Sequence, residues 1–400
     1  MFKAQKWATA LKKAQRDDRR SGSSLKESKF NKHLLGEIRT LGATKFSIRD
    51  LFESFVEDGR EIANSWSPRS GGTKSGINLQ EAGVDTAAFS NVTGQIVYSE
   101  VLEAFNDPIF LASQLAKTVP TQFNGEKIAG IGRLGDEAEA IGEGEAYPMA
   151  GVSEEWTETP ETTKRGFIVP VTKEAVFFDR TGLVLNRASE TATWLAINKE
   201  KRVLDVVLGV TSTYNRNGSA SIATYGNDSG THNWDNLAAS NALQDWTDVE
   251  NALLLFDGIT DPNTAEPVLI NPNTLIIPTA LSFTAQRIVG ATEIREVTNS
   301  NTTSLSPNPL GGARPGGSQA AQFNVLSNQY VSSRQGDSTT WHIGDPMSAF
   351  YYMENWPIQT GEAPTNSEME FSNDIIGRYK VSERGACHAF EPRKMVQCTA

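Results

Sequence analysis

The glycines Gly130, Gly132 and Gly135 in the run GIGRLG have the spacing of a dinucleotide-binding turn, and Glu154 and Glu155 follow about 20 residues on, where such a site places its ribose-binding carboxylate. Their surroundings argue against that chemistry. The preceding GEKIA is too short and polar for a buried first strand, and Asp136 and Glu137 would sit against the pyrophosphate. Gly142, Gly144 and Pro148 interrupt the helix that should follow, so glycines that permit turns are the simpler reading. The run GGTKSG at residues 71–76 lacks the G-K-S/T order of a phosphate loop and sits in a linker rather than after a strand. No G-x-S-x-G elbow occurs. His33, His232, His342 and His388 are far apart, with no H-E-x-x-H or C-x-x-C pair, so no metal site is expected. On a strand, His388 and its neighbour Cys387 point to opposite faces, a poor arrangement for chelation. No carboxylate is isolated in an apolar stretch that would raise its pKa for acid catalysis. The residues therefore assign no catalytic group, no metal and no cofactor.

The carboxylates are instead concentrated in one place. Between residues 121 and 166 stand ten Asp/Glu, namely Glu126, Asp136, Glu137, Glu139, Glu143, Glu145, Glu154, Glu155, Glu158 and Glu161, against four Lys/Arg. Residues 125–165 have almost no apolar periodicity and cannot build a core of their own. A loop of this length inside a folded chain is functional or disordered, and one this acidic is expected to lie on another subunit. That points to assembly rather than catalysis.

The elements around the excursion follow from periodicity. Residues 93–117 read as two helical pieces divided at Asp107-Pro108. After the excursion, residues 167–171 (FIVPV) form a short apolar strand, with Pro170 suggesting a sheet edge. A long amphipathic helix over residues 182–208 comes next, capped by Asp179 or Thr181 and closed by Gly209. Its apolar line is Leu185, Ala188, Ala192, Leu195, Val203 and Val206, broken by Lys199, and its length is about 40 Å. Residues 210–236 are polar loop. A helix then carries Trp246, Val249, Leu253 and Phe256 up to Gly258, and another carries Leu281, Ala285 and Ile288 up to Gly290. Residues 268–270 and 275–277 read as buried strands, 298–320 as a second long structureless loop, and 323–330 and 349–358 as strands. Residues 374–384 alternate Tyr379 and Val381 against Arg378, Lys380 and Ser382, the mark of a strand with one buried face.

Charge is distributed unevenly along the chain. The first 50 residues hold thirteen Lys/Arg and five Asp/Glu, whereas the other 350 hold 24 and 43, giving a net charge of -11 overall. A basic arm on an acidic body suits nucleic acid, an acidic partner or its own surface. Within that arm Ala4, Trp7, Leu11 and Ala14 fall at helical spacing, and a second helix opens at Ser47 with Leu51, Phe52, Phe55, Val56 and Ile62 on one side. Residues 65–76 form a linker by composition. Four hundred residues suggest about two or three domains. No apolar run approaches the ~20 residues that span a bilayer, and the start has no apolar stretch with a cleavage site, so a cytoplasmic origin is expected. Cys387 and Cys398 are too few for a disulfide framework and read as buried or half-buried thiols.

This order of elements resembles the major capsid proteins of tailed bacteriophages, with the Hong Kong 97-type fold. The resemblance covers about residues 84–400 and is carried by DPIFLASQLAKTVP, the acidic loop, FIVPVTKEAVFF, the long helix, and above all WHIGDPMSAFYYMENWPIQTGEAP followed by NDIIGRYKVSERGACHAFEPRKMV. It implies an α+β capsid fold. Residues 1–83 would be a basic helical arm or scaffold-like segment, longer than a simple arm, and 84–120 would be helices leading into the peripheral domain. Residues 121–166 would be the extended loop, 167–209 the peripheral strand and spine helix, 210–339 the axial domain, and 340–400 the return strands. It also implies a non-enzymatic shell protein that forms hexamers and pentamers around double-stranded DNA, in the virion after assembly in the host cytoplasm. Portal, scaffold, maturation protease and decoration proteins are its implied partners, with no membrane. An acidic loop lying on a neighbour needs basic surface there. Glu137, Glu139, Glu143, Glu145, Glu154 and Glu155 are the acidic candidates for this contact. Arg187, Lys199, Lys201 and Arg202 on the spine helix, or Arg378, Lys380 and Arg384 on the last strands, are the basic ones. The alternatives are an encapsulin-like cellular nanocompartment shell, a nucleotide-dependent enzyme using GIGRLG, and an extracellular β-rich adhesion protein.

Overall fold

The computed structural model describes residues 110–129, 141, 143, 156–172, 183–218, 222–227, 234–260, 267–291, 293–299, 302–308, 310, 323–362 and 375–400. The basic arm, the linker, GIGRLG and the cap of the long helix lie outside the described residues. In chain order the elements are α1 (Ala112–Leu115), β1 (Lys117–Pro120), β2 (Lys127–Ala129), β3 (Trp156–Glu158), β4 (Thr163–Thr172), α2 (Leu183–Val207), β5 (Leu237–Ala238) and α3 (Trp246–Asp257). They continue with β6 (Thr274–Ile277), α4 (Ser282–Gly290), β7 (Glu293–Asn299), β8 (Thr302–Pro307), β9 (Asn324–Ser327), α5 (Gln329–Gln335), β10 (Trp341–Gly344), α6 (Pro346–Ala349), β11 (Phe350–Glu362), β12 (Ile375–Ala389) and β13 (Met395–Cys398). The mixture is α+β. The chain divides into two compact units, one of residues 1–108, 164–197 and 357–383 and one of residues 109–163, 198–356 and 384–400. The long elements α2, β11 and β12 each contribute residues to both.

In the first unit β4 lies beside β12, at the end of the strand order β1-β11-β12-β4. Pro170, which lacks an N–H, is therefore on an edge strand among the described residues, as its type suggests. The pair approaches closely at Gly166, where a Cβ would stand 2.2 Å from the Val381 carbonyl oxygen. Tyr379 and Val381 of β12 are buried and Lys380 is exposed, as alternation requires. Ser382 is buried as well, so the alternation ends there. On α2 the residues Ala192, Leu195 and Ala196 are buried.

The second unit is built on the strand order β5-β13-β10-β6-β9, with β10 antiparallel to both β6 and β13 and β9 parallel to β6. Every residue of β6 (TLII) and β10 (WHIG) is buried, which explains why β6 reads as an unbroken apolar run. Trp341, Ile343, Leu275, Ile276 and Ile277 form the centre of the core, with Val203, Leu204 and Val207 of α2 and Val249, Ala252 and Phe256 of α3 in the same cluster. Helix α3 is fixed at its start by a capping box between Asp245 and Asp248. Gly209, at φ 74°, adopts the left-handed conformation that ends α2, and its N–H donates to the Val206 carbonyl at 3.1 Å.

Several expectations need correction. Residues 302–307 are not structureless: β8 pairs antiparallel with β7 from Glu293↔Pro307 to Asn299↔Thr302, with an irregularity between Val297 and Asn299. Its Thr and Ser residues look like loop by polarity, but ladder hydrogen bonds rather than burial define a hairpin, and Thr favours strands. Residues 268–270 form no strand. Val268 is buried while Leu269 is 83% exposed, and Pro267 and Pro272 prevent a longer ladder. The strand expected over 323–330 stops at Ser327, because the Asn328 side chain accepts the Tyr330 N–H at 3.0 Å and starts α5. The helix expected to reach residue 117 ends at Leu115, and Lys117–Pro120 pairs in parallel with Tyr351–Glu354.

Gly344 ends β10 at φ 152°, and a Cβ there would stand 2.2 Å from the Lys394 carbonyl oxygen. Gly344→Ala therefore combines backbone strain with a clash against main chain that cannot move aside. We expect it to destabilise the fold by about 3 kcal/mol or more, seen as a lower urea midpoint. An unchanged midpoint would show that β10 and β13 are free to separate.

Candidate functional site

The acidic excursion leaves and returns at one place. β2 and β3 pair antiparallel, with Ala129 opposite Trp156 and Lys127 opposite Glu158, so the residues that bracket 130–155 face each other across one ladder. Polar side chains hold this base. The Thr159 hydroxyl accepts the Glu126 N–H at 2.8 Å, and Asn124 Oδ1 accepts the Thr162 N–H at 2.9 Å and its hydroxyl at 3.1 Å. Gly125 makes the required turn at φ 83°. The far side of β3 is tied to residues 215–217, where Glu158 N–H donates to the Asn215 carbonyl and Asn217 N–H to the Trp156 carbonyl, each at 2.9 Å. Lys127 Nζ lies 3.8 Å from the centroid of the Trp156 ring. Asn355 Nδ2 donates to the carbonyls of Thr121 and Phe123 at 3.2 and 3.0 Å, which joins the base to β11.

The basic candidates occupy varied surroundings. Arg384 Nε donates to the Thr162 hydroxyl at 2.9 Å and its guanidinium lies 5.5 Å from the Trp356 ring, so it braces the base of its own subunit's loop. Lys199 Nζ lies 4.3 Å from the Tyr352 ring and Lys201 Nζ 5.3 Å from the Tyr330 ring. Arg202 Nε donates to Asn198 Oδ1 at 3.0 Å. Arg378 is half-buried and Lys380 exposed on β12. Arg187 lies on α2 in the first unit, with its side chain outside the described residues. Of the acidic candidates, Glu143 is exposed. Glu137, Glu139, Glu145, Glu154 and Glu155 lie outside the described residues.

The structure adds buried polar groups that periodicity did not reveal. Glu200 on α2 is 1% exposed, and its carboxylate accepts the N–H groups of Leu111 and Ala112 at 3.0 and 2.7 Å and a bond from Asn328 Nδ2 at 3.4 Å. One side chain thus caps α1 and touches the start of α5. Burial raises its pKa, and the two backbone donors pull it back down. Asp205 of the same helix takes a bidentate bond from Arg334 at 2.5 and 2.7 Å. Asn236, fully buried, donates to the carbonyls of Thr224, Pro392 and Met395 and accepts the Gly226 N–H, which fixes the loop before β5 against β13. Arg393 and Glu391 form a buried bidentate ion pair at 2.5 and 2.8 Å. Among the described residues no cluster of His, Cys, Asp and Glu could hold a metal ion, and no helix is long and apolar enough to cross a membrane. Both cysteines are buried free thiols, each pushed up to about 12 by desolvation.

A family model for phage capsid protein matches residues 155–398. The chain belongs to the phage capsid protein family. No curated protein matches the sequence. Among solved structures, this capsid protein is similar to a virus-like particle from Pyrococcus furiosus, at 10% identity and a TM-score of 0.41, covering 76% of this chain and 97% of that one. It is also similar to Gordonia phage Cozz, at 12% identity and a TM-score of 0.39, covering 72% and 85%. An encapsulin complex from Synechococcus elongatus gives 10% identity and a TM-score of 0.41, covering 73% and 88%. At such scores the family match alone carries the assignment. It gives the capsid protein a structural role in a viral shell.

Two features of the capsid protein's core lead to measurable effects. Replacing Glu200 with Ala leaves the buried Leu111 N–H and the half-buried Ala112 N–H without their acceptor. A loss of about 2–4 kcal/mol is expected, read from urea unfolding. His342 and His388 are fully buried, and desolvation lowers their pKa to about 3 and about 4 from 6.5. Between those values and 6.5 the unfolded chain binds protons that the folded chain does not, so stability falls as pH drops through 6.5 toward 4. At pH 5 the two imidazoles together cost about 4 kcal/mol relative to pH 7. Unfolding free energies at the two pH values should differ by that order, and His342→Leu with His388→Leu should remove most of the difference.

Proposed function

We propose that this capsid protein builds the icosahedral head shell of a tailed bacteriophage, assembling into hexamers and pentamers that enclose double-stranded DNA. The observation that carries the reading is the pinned base of the excursion in a chain whose family is a phage capsid family. Residues 130–155 contain seven Asp/Glu and one Lys/Arg, and they start from strands held to the same subunit on both sides. Such a segment, rooted in its own subunit, is offered to a neighbour. The spine helix and last strands supply basic residues to receive it, with Arg187 and Lys380 as the proposed acceptors. The first 50 residues, with their thirteen Lys/Arg, would lie inside the shell and screen packaged phosphate. A portal is the partner proposed for such a head, with scaffold, maturation protease or decoration proteins as further candidates, and the virion is its proposed destination after assembly in the host cytoplasm.

Electron microscopy of the purified protein tests this directly. Wild type should form closed shells, and a variant with residues 130–155 replaced by a two-residue turn should stay folded but form none. Assembly yield should also fall as the Debye length shrinks from ~10 Å to ~3 Å between 0.1 and 1 M salt. Normal shells from the shortened protein would remove the excursion from the contact.

A further inference from the structure

Two helices of the second unit expose an apolar side chain among charges of opposite sign. On α3, Glu250, Leu254 and Asp257 are exposed at i, i+4, i+7 spacing, with Leu254 at 58%, while Val249, Ala252 and Phe256 are buried on the other side. On α4, Phe283 is 83% exposed beside Gln286 and Arg287, while Ala285 and Ile288 face the core. Two acids therefore flank a leucine on α3, and a single arginine stands beside a phenylalanine on α4. Their positions in the sheet are as distinct as their charges. α3 packs on β13 and α4 on β9, and β10 and β6 stand between those strands. At ~4.8 Å per strand, about 14 Å of sheet separates them.

We propose that α3 of one subunit packs against α4 of the next copy of this chain, with Leu254 against Phe283 and Glu250 and Asp257 facing Arg287. This rests on the shell reading and names its contact. A contact between two different faces is head to tail, and repetition around an axis closes it into a ring. Pairing α3 with α3 instead would bring Glu250 and Asp257 against their own copies, which like charges oppose. The complementary charges on two separate faces thus favour a head-to-tail contact over the symmetric dimer, and in a closed shell that contact repeats as a ring.

Cross-linking decides the matter. Cys387 and Cys398 are buried, so cysteines introduced on the surface react alone. Under mild oxidation, a protein carrying both Leu254→Cys and Phe283→Cys should give a ladder of covalent oligomers that ends at the ring, whereas either change alone should give monomer. Arg287→Glu should lower shell yield at least tenfold, and adding Glu250→Arg and Asp257→Arg should restore it. A dimer from Leu254→Cys alone would show a symmetric α3 contact and overturn the proposal. Shells that form from the double-cysteine protein without a ladder, or charge reversal without effect, would also overturn it while leaving the shell reading intact. A ladder from protein that never forms shells would instead uphold the contact and remove the shell.

Discussion

A long polar segment can be presented to a neighbour only if its two ends are held together by something other than itself. Here that constraint is met by β2 and β3, whose pairing returns the chain to its starting point, and by side chains that satisfy the backbone around the join. Thr159, Asn124 and Asn355 each bind main-chain groups of the base, and Arg384 braces Thr162 from β12. Bonds of this kind contribute modestly one by one, about 1 kcal/mol each. Their joint effect is to fix the root: Thr159 and Asn124 tie its two limbs together, and Asn355 and Arg384 tie those limbs to β11 and β12. The rest of the second unit serves as the platform to which this root is attached.

The platform itself is unified by polar groups buried among apolar ones. Glu200 connects α1, α2 and the start of α5, and Asn236 connects the loop before β5 to β13 and to the turn preceding it. Such groups have few acceptable positions, since any displacement leaves a donor or acceptor without a partner. Apolar packing around Trp341 and Ile276 gives the core its bulk, and these polar contacts fix its register. His342 on a fully buried central strand is the costly member of the set: Gln397 lies 3.2 Å from its Nε2, and the ring remains neutral.

The sequence disclosed the elements whose apolar residues follow one period. α2, α3 and α4 were legible from Leu195, Val249 and Ile288, and β6 from its unbroken run of large side chains. The final long strand was legible from Tyr379 and Val381, and the edge position of β4 from Pro170. Elements without an apolar period were not, which is why β8 with its Thr and Ser residues reads as loop. Parallel pairing left no local trace either, so β1 was hidden beside β11. For the contact residues, charge alone could not distinguish a cation already engaged in its own subunit from one offered outward. Arg384 and Lys201 turned out to touch Thr162 and Tyr330. Glu200 did carry a signal, a lone acid four residues after Ala196 and four before Leu204 on a buried stripe.

Among the described residues β4 is the last strand of its sheet, and that position matters beyond the sheet itself. Shell growth gathers many copies of one chain at high local concentration, where an open strand edge invites backbone pairing between subunits in arbitrary register. Pro170 has no N–H to donate, and the exposed charges of Lys164 and Arg165 repel the same strand in another copy. Strand-to-strand sticking is thereby discouraged at the stage when copies first meet.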